Sequence, residues 1–189
     1  MIVFYSHKKV NQKYPYNKFL FILIILINII ETYLKEIYIN NNDFVNLSDI
    51  VNNNQNDNEL ILKFSDSYYD MSLLHFTIDI TIQTKLLIIG NKNGTVFDYK
   101  QDKRGRLIFT YNTNKGDIVT IENIIFKNFN SFGIPYTEIL LIFAASENFY
   151  FILNSCTFQN NNNRIFRSEI TCDKQLHSGS SIIFNNCNF

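Results

Sequence analysis

Three cysteines (Cys156, Cys172, Cys187), three histidines (His7, His75, His177) and 17 acidic residues are the side chains with which this chain could do chemistry. Thiols could act as nucleophiles or metal ligands, but these three lack the close pairing of a zinc site. The later acids, Asp98, Asp102, Asp117, Glu122, Glu147, Glu169 and Asp173, fall in separate turns with no common period. No two aspartates are neighbours in sequence, so the simplest paired-carboxylate arrangement is missing. Arg104 and Arg106 belong to the charged stretch Lys100–Arg106, which reads as a solvated loop. His177 lies in a Ser/Gly segment, His75 beside a strand and His7 near the N-terminus. No glycine-rich phosphate loop and no basic-aromatic RNA motif is present. The expectation is a chain without catalytic residues, cofactor or metal.

The elements that would position such groups begin with a targeting signal. Formal charge is zero, with 17 basic and 17 acidic residues, so no overall field favours nucleic acid. Lys8, Lys9, Lys13 and Lys18 all precede the first acid, Glu31, which leaves the remainder mildly acidic. Residues 19–30 follow, and all but Asn28 are strongly apolar. As a helix this stretch would span about 18 Å, short of a hydrocarbon core of roughly 30 Å. Basic leader and short apolar run match a secretory signal, although no small-x-small cleavage site follows. Residues 1–39 are therefore read as a signal peptide or a signal anchor, the latter with its helix prolonged through Leu34, Ile37 and Tyr38. If uncleaved, residues 19–30 would be the membrane contact.

Residues 40–59 are polar and Asn-rich and read as a linker; residues 60–189 read as the folded domain. Phe, Tyr and Ile are abundant, while alanine occurs only at 144 and 145, which favours strands over helices. Short apolar runs separated by Gly, Asn, Asp and Ser predict strands over Leu60–Phe64, Leu73–Ile82, Leu86–Ile89, Thr95–Tyr99, Leu107–Tyr111, Ile118–Phe126, Ile139–Phe143, Phe149–Phe158 and Ser181–Phe184. Residues 76–82 alternate strictly, as a half-buried strand requires. Asn46-Leu47-Ser48 and Asn93-Gly94-Thr95 match the N-glycosylation acceptor pattern at Asn46 and Asn93.

An internal repeat organises these runs. Residues 119–128, 151–160 and 182–189 align so that Phe126, Phe158 and Phe189 fall 32 and 31 residues apart. Ile124, Cys156 and Cys187 lie two residues earlier, each preceded by polar Asn123, Ser155 or Asn186. Such a period suits a solenoid, in which each coil returns one position to the same place about 4.8 Å away. The phenylalanines would then form an interior column, and the two cysteines read as small interior hydrophobes. A disulfide between them requires that adjacent coils align them. Asparagine at a corner tolerates left-handed backbone angles and can stack into an amide ladder.

Leu86-Leu87-Ile88-Ile89-Gly90, Gly94-Thr95-Val96-Phe97-Asp98, Leu107-Ile108-Phe109 and residues 119–128 resemble the opening coils of right-handed parallel β-helix (pectin-lyase-like) repeat proteins, in particular the non-enzymatic surface type. The resemblance covers roughly residues 60–189. It implies an all-β, single-stranded solenoid of about four to five coils, preceded by the N-terminal hydrophobic helix. The long period implies loops projecting around 130–137 and 164–178. Polysaccharide lyases and hydrolases of this fold imply a calcium-binding carboxylate cluster with an arginine base, or paired aspartates with a histidine, and neither pattern is found here. The expected function is a secreted or membrane-anchored, non-catalytic module with a structural, adhesive or binding role at the cell surface. A carbohydrate-active enzyme, degenerate or not, is the competing reading. Expected partners are carbohydrate, or another protein at an open C-terminal coil edge. Because Phe189 completes a repeat, a truncated product is also expected.

Overall fold

The computed structural model describes residues 34–131, 133, 137–171 and 181–189. The apolar segment 19–30, Cys172 and His177 lie outside the described residues.

Parallel strands dominate. The chain opens with β1 (Leu34–Ile39), passes through a short helix α1 (Leu47–Asn53), and continues as β2 (Glu59–Phe64), β3 (Tyr68–Asp70) and β4 (Thr77–Ile82). The next coil holds β5 (Lys85–Ile89), β6 (Thr95–Asp98) and β7 (Arg106–Tyr111). After it come β8 (Asp117–Glu122), β9 (Ile124–Lys127) and β10 (Glu138–Ala144), then β11 (Phe149–Asn154), β12 (Thr157–Gln159) and β13 (Arg164–Ile170), and finally β14 (Ile182–Asn185). Three sheets result, ordered β1-β2-β5-β8-β11-β14, β13-β10-β7-β4 and β12-β9-β6-β3. Every pairing is parallel. The fold is a parallel β-solenoid of about five turns.

Alternation drives this winding. In β2 the residues Leu60, Leu62 and Phe64 are buried while Glu59, Ile61 and Lys63 are not, the two-residue period of a strand with one face on a core. The inward residues of all three sheets meet in one apolar interior. Two predicted strands break into two. Residues 118–126 divide at Asn123 and residues 149–158 at Ser155, with φ of 57° and 52°. These are corners, and the left-handed angle turns the chain from one sheet to the next. A second corner follows at Asn128 and Asn160, again with positive φ. Both asparagines of the unit Asn123-x4-Asn128 are thus bends bracketing the short strand β9. Gly90 stands at the first corner one coil earlier, where a Cβ would come within 2.3 Å of the Asn123 carbonyl oxygen. Only glycine fits that approach.

Four expectations are corrected. Residues 34–39 do not prolong a helix; they form the first strand, in register with β2 from Leu34↔Glu59 to Ile39↔Phe64. The solenoid therefore starts before residue 60. The strand expected over Leu73–Ile82 starts only at Thr77. Leu73 ends a 3-10 turn, Met71–Leu73, in which the Asp70 carboxylate accepts from the Ser72 amide (3.0 Å) and hydroxyl (2.6 Å) and holds the chain in a local turn. Residues 164–170 are not a projecting loop but a strand paired with β10, held inward by Ile165, Phe166 and Ile170.

Residues 40–59 are not a linker. Phe44, Leu47 and Val51 are buried in the core, and the polar face of α1 together with the turn after it bonds the free edge of β4. Thr81 N donates to Asn52 Oδ1 (3.0 Å), and Asn52 Nδ2 donates to Asp79 O (2.8 Å). Gln83 N donates to Gln55 Oε1 (2.9 Å), and Gln55 Nε2 donates to Thr81 O (2.7 Å). Two side-chain amides thus pair with β4 as a neighbouring strand's peptide groups would. Gln55 is buried, so Gln55→Ala is expected to lower stability by about 1–3 kcal/mol. Its urea midpoint should fall, while that of Asn53→Ala, at an exposed position, stays within about 0.5 kcal/mol of the parent.

Candidate functional site

The repeat residues converge on one vertical strip of the interior. Tyr69, Phe97, Phe126 and Phe158 are in register on β3, β6, β9 and β12. Phe126 stacks on Phe158 with ring centroids 4.9 Å apart and planes 8° from parallel, and Phe158 stacks on Phe189 at 5.2 Å and 5°. Phe97 meets Phe126 edge-on at 5.8 Å. The three predicted phenylalanines therefore form one column. Phe126 and Phe158 are buried, whereas Phe189 is 68% exposed.

The neighbouring column carries Thr95, Ile124 and Cys156, followed by Cys187. Both thiols are free. Burial pushes the Cys156 thiol up to about 12, which leaves little of it as thiolate and makes it a slow nucleophile at neutral pH. An amide rung joins asparagines of two coils, Asn185 Nδ2 donating to Asn154 Oδ1 at 2.9 Å. It sits on the residues just before the corner and not on the corner residues themselves. The acceptor asparagines Asn46 and Asn93 are both exposed, Asn46 directly before α1 and Asn93 in the turn between β5 and β6.

Among the acids, Asp98 is the most enclosed corner residue. Its carboxylate accepts from Lys100 N (2.9 Å), Asn128 Nδ2 (2.9 Å) and Tyr68 OH (3.2 Å). Burial opposes the charge, but these donors outweigh it and hold the carboxyl below its usual range. A lowered folded-state pKa stabilises above the unfolded value of about 3.9, and that contribution disappears as pH falls through the folded value. Asp98→Asn is therefore expected to lose about 1–3 kcal/mol near pH 7. The gap from the parent protein should close below pH ~4 in paired denaturation curves.

Arg106 does not lie in a solvated loop. Exposed Arg104 pairs with Asp102 through Nη2 at 2.8 Å, but Arg106 begins β7 and is 7% exposed. Its guanidinium bonds the fully buried Glu138 carboxylate, and its Nε donates to the Glu138 carbonyl at 2.9 Å. Phe76 lies over the guanidinium at 5.5 Å. Glu138 Oε2 and the nearby Tyr99 hydroxyl are buried without a hydrogen-bond partner. Burial drives the Tyr99 pKa upward, opposed by the Arg106 charge. The only sequence signal for this pair is its separation of 32 residues, one coil of the repeat.

On the outside, three successive coils form a groove of about 440 Å³ at the N-terminal ends of β2, β5 and β8. Its walls include Asp57, Asn58, Gln83, Lys85, Asp117 and Ile118. Tyr150 pairs with Ile118 on the adjacent strand and is 40% exposed. Salt bridges Glu59–Lys85 (2.7 Å) and Glu36–Lys63 (2.6 Å) link coils along the same face. The groove offers two carboxylates, two amides and an ammonium on one concave surface, and the Tyr150 ring stands one coil further on, next to Ile118. Among the described residues no three or more His, Cys, Asp or Glu side chains converge as a metal site. Among the same residues no helix is long and apolar enough to cross a membrane.

The class this geometry defines is the parallel β-solenoid. No protein family, curated protein or solved structure matches the chain.

Proposed function

We propose that this chain is a non-catalytic β-solenoid module of the right-handed, pectin-lyase-like type, secreted or membrane-anchored, with a structural, adhesive or binding role at the cell surface. The observation that carries the reading is the outer groove, which gathers amide and carboxylate side chains from successive coils, with the exposed Tyr150 paired to its wall residue Ile118 on the next strand. Amides and carboxylates hydrogen-bond hydroxyl groups, and a tyrosine ring covers the apolar face of a sugar. Carbohydrate is therefore the proposed partner, taken up without turnover. The basic leader and apolar run at residues 8–30 support delivery out of the cytosol.

A glycan array with the purified protein tests the binding reading. Binding to an extended polysaccharide, lost at least about tenfold in Tyr150→Ala, is expected, since one ring stacking contact is worth roughly 1.4 kcal/mol. Binding that Tyr150→Ala leaves intact overturns the groove assignment, and turnover of polygalacturonate or a related glycan favours the carbohydrate-active enzyme instead. Fractionation with and without a carbonate wash separates a cleaved, secreted form from a retained anchor. Recovery in the cytosol would count against both.

A further inference from the structure

Cys156 and Cys187 occupy the same position on successive coils. Phe158 N donates to Asn188 O at 2.8 Å and Asn188 N donates to Cys156 O at 2.9 Å, so the backbones of the two coils are paired where the cysteines stand. Cys156 Sγ donates to the carbonyls of Ile121 and Asn154, both at 3.5 Å. Cys187 Sγ donates to the carbonyls of Leu153 and Asn185, both at 3.4 Å. Leu153 is the register partner of Ile121, and Asn185 that of Asn154. The two thiols therefore leave their strands in one direction and make equivalent contacts one coil apart. Neighbouring coils are separated by about 4.8 Å, inside the Cα separation of roughly 4.4–6.8 Å that a disulfide spans. The preceding coil has Ile124 at this position, so the column holds one such pair.

We propose that Cys156 and Cys187 are a redox pair that closes into a disulfide stapling β14 and its corner to the coil beneath. The oxidant is a small-molecule disulfide such as oxidised glutathione. The partly exposed Cys187, as thiolate, attacks one glutathione sulfur, forming a mixed disulfide and releasing one glutathione thiolate. Cys156 then loses its proton and attacks Cys187 Sγ. The protein S–S bond forms, the mixed disulfide breaks and the second glutathione leaves. Two electrons pass from the thiol pair to the oxidant and two protons go to solvent. Burial of Cys156 makes the second step the slow one, faster as pH rises. The target is the coil that needs it most, since Ile182 is only partly buried and Phe184 is exposed, whereas Phe151 and Leu153 beneath them are fully buried.

The full chain, equilibrated with glutathione buffers and digested with trypsin without reduction, tests this directly. Arg164, Arg167 and Lys174 separate the three cysteines, so each tryptic peptide carries one. The expected result is a linked pair of peptides bearing Cys156 and Cys187, two hydrogens lighter than their sum and restored by reductant. Cys156→Ser and Cys187→Ser should each abolish it and Cys172→Ser should leave it. Amide exchange at residues 185–188 should slow by roughly tenfold or more in the oxidised form. Cys156 and Cys187 remaining free or separately glutathionylated would overturn the proposal. So would a dominant crosslink of either one to Cys172.

Discussion

Replacing Glu138 by alanine is expected to destabilise the solenoid by about 3–5 kcal/mol, because it leaves the Arg106 guanidinium buried without its counter-charge. Glu138 heads β10, an interior strand of its sheet, and is fully buried. The pair is not an optimum, since one carboxylate oxygen has no partner. A double variant with Arg106→Met and Glu138→Leu should therefore recover most of the loss, and could exceed the parent, as paired hydrophobic replacements of buried ions do. Urea unfolding of the parent, Arg106→Met, Glu138→Leu and the double variant, followed by far-UV circular dichroism, gives the coupling. A single Glu138→Ala variant within about 1 kcal/mol of the parent would show that the ion pair is hydrated in solution.

Phe126→Ala is the second large effect. Its ring is fully buried, stacked on Phe158 and edge-on to Phe97. Truncation opens a cavity in mid-column and should cost about 3–5 kcal/mol. Phe189→Ala, at the exposed end of the same column, removes far less buried surface and is expected to cost under about 1 kcal/mol. The contrast between the two midpoints tests the column itself. Equal losses at 126 and 189 would sink it.

What could be read in advance follows the physics of each feature. The column of Phe126, Phe158 and Phe189 was legible because burial demands the same residue type at every turn of a solenoid. That asparagine would serve the corners was legible, because few residues other than asparagine and glycine adopt positive φ readily, but the bend at Asn123 was hidden inside an apolar run that reads as one strand. The Arg106–Glu138 pair was hidden because charged residues ordinarily signal solvent, and only their one-coil spacing marked them. Strand β13 was hidden by its charged residues Arg164, Arg167 and Glu169, among which Ile165, Phe166 and Ile170 pack against the core. The cap over residues 44–55 was hidden by its asparagines, which resemble low complexity until Asn52 and Gln55 are seen bonding a strand edge. The outer groove draws its walls from residues 55 to 118, and no local motif gathers residues so distant.

The amides of Asn52 and Gln55 also decide what the β4 edge can recruit. A bare parallel edge is a template on which a foreign strand can nucleate, the route by which repeat proteins polymerise out of control. Here each donor and acceptor from Asp79 to Gln83 that faces α1 is already occupied by a side chain too short to propagate pairing. The device ends hydrogen-bonded growth on that sheet without spending a whole extra coil, and it makes the Asn-rich stretch a safeguard against fibre formation.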